Sequence, residues 1–159
     1  MPLFSNSFEK FMKKITVILL VFATLFSCRS VIIRNDIEDG TWMIGEMVFN
    51  AAYVKKADTT NALTAADFSS NGLNFYFGKY PTGNSNYKIV NNPGADDEVR
   101  IVAVMQDTTR AYVTTGSEEK NAKVTFNNGK ITISVPKVEA KNIYAPEDVI
   151  NIEALLTEK

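Results

Sequence analysis

Tyrosine carries much of the chemistry open to this chain. Tyr76, Tyr80 and Tyr87 fall within one short stretch, beside Phe75 and Phe77. Exposed aromatic rings stack on sugars or peptides, and a tyrosine adds a hydroxyl handle. With Trp42 they form the candidate ligand-contacting set. Read as structure alone, aromatics at strand positions are core residues or cross-strand pairs. The second group is Asp96-Asp97-Glu98. Calcium takes oxygen ligands from loops, but three adjacent carboxylates lack the spaced pattern of a binding loop. They read as a solvated acidic turn.

Composition closes off other chemistry. The 159 residues include no histidine and one cysteine, with 17 Lys+Arg against 18 Asp+Glu and a net charge of -1. Histidine-based triads, His-ligated metals, Cys-rich zinc sites and intrachain disulfides are excluded. Nothing shows the basic excess of a nucleic-acid binder. General acid–base work would fall to carboxylates, lysine or tyrosine. No carboxylate pair stands out for glycoside hydrolysis, and no Ser-Lys nucleophile motif is present. The expectation is a non-enzymatic protein with no cofactor.

The only cysteine has a distinctive setting. Met12-Lys13-Lys14 precedes an apolar run, Ile15–Phe26, and Ser27-Cys28 follows. This order is that of a secretory signal peptide. The run is shorter than the roughly 20 residues that span a bilayer. Leu25-Phe26-Ser27-Cys28 resembles a bacterial lipobox, which implies cleavage before Cys28 and its lipidation. The expected organisation is a signal peptide over 1–27, a lipidated cysteine and tether over 28–39, and a folded domain over 40–159. Met12 is the better start, which would make 1–11 an artefact. The tether holds Val31-Ile32-Ile33, which reads equally as a first edge strand.

From Thr41 onward, alternation of apolar and polar residues dominates. The clearest element is Ala122–Val135, centred on Asn128-Gly129. That pair suits a two-residue hairpin loop, in which both central residues need positive φ. Phe126 then faces Ile131 and Val124 faces Ile133, which makes one face apolar and the other polar. Pro136 ends the strand or marks an edge. Thr41–Phe49 reads as one strand with a bulge at Gly45. Leu73–Phe77 is a strand with Leu73, Phe75 and Phe77 inward, and Tyr87 and Ile89 begin its return. Asn92-Pro93-Gly94 suits a type II turn. Val99–Met105 reads as a central strand. Ala111, Val113 and Thr115 share a face of the next, and Asp148–Thr157 is the last. Thr64–Asp67 reads as a short helical turn. The fold class is all-β, an antiparallel sandwich or small barrel of about eight strands.

Several local patterns carry resemblances. Gly40-Thr41-Trp42 resembles the Gly-x-Trp signature of lipocalins, which would imply a calyx carrying a small apolar ligand. Asp58-Thr59-Thr60 and Asp107-Thr108-Thr109 look like the O-glycosylation triplets of Bacteroidetes-type secreted proteins, implying modification at Thr59 and Thr108. The succession of Gly40-Thr41-Trp42, Leu73–Phe77, Pro81-Thr82-Gly83, Tyr87–Val90 and Gly129–Ile133 is similar to that of small Bacteroidetes-type lipoproteins. That resemblance implies a β-sandwich and transfers no catalytic residues. Together these readings predict an outer-membrane lipoprotein held through Cys28, on the periplasmic face or the surface. Its expected role is that of a non-catalytic binding or accessory module. The expected partners are an envelope protein, a glycan or an apolar small molecule, with no nucleic acid.

Overall fold

The structure is a computed structural model and describes residues 37–57, 60–106, 110–116 and 119–159. Cys28, the signal peptide, Val31–Ile33, Thr59 and Thr108 lie outside the described residues. Among the described residues the fold is all-β. Eleven strands form one mixed sheet: β1 Thr41–Ile44, β2 Met47–Asn50, β3 Tyr53–Lys56, β4 Ala62–Ala66, β5 Gly72–Phe77, β6 Ser85–Ile89, β7 Glu98–Val104, β8 Ala111–Thr114, β9 Asn121–Asn127, β10 Lys130–Asn142 and β11 Val149–Thr157. Their order is β2-β1-β11-β10-β9-β6-β7-β5-β4-β3. β8 pairs with both β7 and β10, so β10, β9, β6, β7 and β8 close a ring.

The β9–β10 hairpin has the expected register, with Ile131 opposite Phe126 and Ile133 opposite Val124. Asn128 and Gly129 take φ of 50° and 77°, as a type I′ turn demands. One side chain departs from the pattern: Phe126 is 40% exposed while Ile131 is 1% exposed.

Pro136 does not end its strand. β10 pairs with β9 as far as Ser134, and with β8 from Ala140 onward. Its register against β11 shifts between Val135 and Val138. Proline has no N–H to donate, so it sits where β10 exchanges one neighbour for another.

Several expectations are corrected. The eight antiparallel strands become eleven, and the sheet is mixed because β6 and β7 pair in parallel through Lys88↔Glu98 and Ile89↔Val99. Thr41–Phe49 is a hairpin rather than one bulged strand, with Ile44 opposite Met47. Gly45 at the first loop position has φ 62°, a sign that fits a type II′ turn. Thr64–Asp67 is largely strand β4, held between β3 and β5, so sheet pairing overrides local helical preference. Gly94 is not among the glycines with positive φ. The backbone instead turns at Ala95–Glu98, where Glu98 N–H donates to Ala95 O at 3.2 Å. In β8 the buried residues are Ala111, Tyr112 and Thr114, while Val113 is half-buried. Hydroxyl partners explain this inversion: Tyr112 donates to Asp148 at 2.8 Å, and Thr114 to Val90 O at 3.1 Å.

The interior is occupied by large side chains. Trp42, Phe75, Leu63, Leu73, Ile101, Ile133, Ile152 and Leu156 are 0% exposed and belong to one apolar cluster. β7 is central as expected, with β5 on one side and β6 and β8 on the other.

Candidate functional site

The described residues offer a surface cleft of about 340 Å³, lined by Lys79, Tyr80, Thr82, Gly83, Asn84, Ser85, Tyr87, Asp96 and Asp97. Two turns build it. The first follows β5. Gly78 N–H donates to Glu98 O at 2.9 Å and Lys79 N–H to Asp96 O at 3.3 Å. This brings the chain so close to the second turn that a Cβ on Gly78 would stand 1.9 Å from Ala95 O. Glycine is therefore required by close approach. The loop then runs through Pro81-Thr82-Gly83 to Asn84, whose Oδ1 accepts from Phe126 N–H at 2.6 Å. That bond ties the loop to β9.

The second turn leads from Gly94 into β7. The Glu98 carboxylate accepts from Gly94 N–H at 2.6 Å and Ala95 N–H at 3.0 Å. These two backbone donors hold its carboxyl below the usual glutamate range, and the Lys88 charge helps. Glu98 is therefore structural, while its neighbours Asp96 and Asp97 line the cleft. Among the described residues no three His, Cys, Asp or Glu side chains converge on a metal position.

The tyrosines form the back of the cleft. Tyr80 and Tyr87 both meet Phe77 edge-on, at centroid distances of 5.8 and 4.9 Å. Tyr87 is 5% exposed and its hydroxyl donates to Lys79 O at 3.3 Å. Burial raises its pKa, and the charges of Asp96 and Asp97 add to the effect. Burial, with Glu158 nearby, pushes the Tyr80 hydroxyl up to about 12. That hydroxyl is buried with no hydrogen-bond partner. Lys56 Nζ lies 4.3 Å from the Tyr80 ring centroid, a cation–π distance. Across the mouth Lys79 pairs with Asp96 at 3.5 Å. Exposed as it is, that pair contributes at most about 1 kcal/mol. Asp97 forms no ion pair with a described residue.

The structure thus brings together two of the four expected ligand-contacting residues. Tyr76 is 42% exposed on the other face of β5, opposite Ala62 and Arg100, and it does not line the cleft. Trp42 has no exposed surface; it stacks on Phe49 at 5.4 Å and 13°. Thr82, Asn84 and Ser85 escaped the sequence reading as contact residues. Their signal is the turn composition after Pro81, a connection by pattern whose polar side chains line the cleft.

The chain matches no known family model, no curated protein and no solved structure. What stands is an all-β domain of unknown family, tied by these comparisons neither to the small lipoproteins nor to the lipocalins.

Proposed function

We propose that this chain is a non-catalytic binding domain, held to a bacterial envelope membrane through lipidated Cys28, whose cleft takes a glycan. One observation carries the glycan reading. Hydroxyls, an amide, carboxylates and an ammonium group converge around two tyrosine rings in a cleft of about 340 Å³. A polyhydroxylated ligand needs many short polar partners, and the lining is mostly of that kind. The volume is at the lower end of the range of about 300–1,000 Å³ usual for small-ligand sites, which suits a short oligosaccharide.

The occupied interior supports this reading over an apolar carrier. A carrier needs a hollow core, whereas Trp42, Phe75 and Ile133 fill it. The same filling favours a packed sandwich over a hollow calyx. The Cys28 anchor rests on the sequence pattern alone, and with it the outer-membrane location.

The test is a glycan array probed with the full chain in detergent. Retention of at least one glycan class is expected, and it should disappear with Asn84→Ala or Asp97→Ala. Retention unchanged in both variants, or no retained glycan at all, would count against the cleft as a glycan site.

A further inference from the structure

We propose that the cleft selects glycans bearing free amino groups, such as glucosamine oligomers, over neutral and acidic ones. This rests on the glycan reading above and goes on to name the ligand's charge. Lys79 and Asp96 answer each other across the mouth at 3.5 Å. Asp97 adds a carboxylate with no ion-pair partner among the described residues. The other lining side chains are neutral, so the lining sums to one negative charge; Lys56 and Glu158, both beside Tyr80, add one charge of each sign. The raised pKa of Tyr87 has the same origin in part, since Asp96 and Asp97 both act on its hydroxyl.

A protonated amine presents three donors and meets a carboxylate through charge-assisted hydrogen bonds. An N-acetylated sugar loses that charge. A uronic acid brings a like charge toward Asp97 and is disfavoured. A basic peptide shares the positive charge but gains less from the remaining lining. Thr82, Asn84 and Ser85 supply short polar groups suited to ring hydroxyls. Tyr87 is almost wholly buried and presents little apolar wall to a peptide side chain.

The experiment is calorimetric titration of the full chain in detergent at about pH 6, where the amines of the probes are protonated. The probes are triglucosamine, tri-N-acetylglucosamine, trigalacturonate and trilysine. Triglucosamine should bind at least about tenfold more tightly than the acetylated trimer, a difference of about 1.4 kcal/mol. Asp97→Asn should erase that preference, and Asp97→Lys should turn it toward trigalacturonate. Asp97 contributes only its backbone carbonyl to the fold, accepting from Lys88 N–H at 2.8 Å, so both variants should fold. Equal or tighter binding of the acetylated or acidic trimer, lost in Asn84→Ala, would overturn the charge selectivity and leave the glycan site standing. No binding by any sugar would remove the glycan reading and this inference together. Trilysine binding as tightly as triglucosamine would make the ligand a basic peptide.

Discussion

Thr114 accepts a hydrogen bond from the backbone N–H of Ile101 at 3.2 Å, and its own hydroxyl donates to Val90 O at 3.1 Å. The residue is 0% exposed. One hydroxyl thus joins β8 to β7 and to the chain leaving β6, just past its parallel pairing with β7. Gly116 continues the joint. A Cβ there would come within 3.1 Å of Asn91 N and Val90 Cα.

Thr114→Val keeps the shape and removes both bonds. Val90 O and Ile101 N–H would each lose a partner in the interior, at about 1–3 kcal/mol apiece. The expected loss is about 2–6 kcal/mol, read as a lower urea midpoint at unchanged slope. Thr114→Ser should retain most of the stability. A Thr114→Val midpoint equal to wild type would show that the joint is dispensable.

Two glycines should respond differently to alanine. At Gly129 an added Cβ meets nothing within 4 Å, but φ is 77°. Gly129→Ala should therefore cost only the backbone penalty, about 1–2 kcal/mol. At Gly78 φ is not the obstacle. The Cβ would collide with the carbonyl of Ala95, so the two turns of the cleft must separate. Gly78→Ala should destabilise more than Gly129→Ala and also weaken cleft binding, which Gly129→Ala should leave intact. Paired denaturation and binding measurements check both points.

Acid should weaken the fold through two carboxylates. Backbone N–H groups of Gly94 and Ala95 lower the pKa of Glu98 from 4.5. Hydrogen bonds from Asn142 and Tyr112 lower that of Asp148 from 3.8. A depressed folded-state pKa gives stability that is complete above the unfolded value and lost as pH falls through the folded one. The melting temperature should therefore decline as pH drops below about 4.5. Glu98→Gln and Asp148→Asn should each flatten that decline. An unaltered acid limb in both variants would rule these groups out as its source.

Legibility followed the range of the interactions. Asn128-Gly129 and its flanking alternation specify a hairpin locally, so its register was readable. The alternation of Leu73, Phe75 and Phe77 likewise gave β5 its buried face. The β6–β7 parallel pairing was not readable, because Asn92-Pro93-Gly94 resembles a turn between antiparallel neighbours. In β8 Ala111 is buried as its pattern implies, but Tyr112 and Thr114 are buried through partners distant in sequence. The cleft was half legible. Tyr80, Tyr87 and the acidic turn attract notice by residue type. Asn84 and Ser85 join them only because Asn84 is fastened to Phe126 N–H, 42 residues away in sequence.

The anchor and the cleft should be separable. The chain enters the fold at Gly40, whose N–H donates to Leu155 O at 2.8 Å. Asp39 beside it accepts from Thr157 Oγ1 at 2.9 and 3.0 Å. Neither residue lines the cleft. Cys28→Ala removes the thiol that would carry the lipid. In a host with lipoprotein processing, the variant should move from the membrane pellet to the soluble fraction, with its oligosaccharide affinity unchanged. Lipidation of the wild type should also appear as added acyl mass on an N-terminal Cys28 peptide. Cys28→Ala that still sediments with membranes, together with a wild-type peptide lacking acyl mass, would refute the anchor and leave the cleft to be judged on its own binding data.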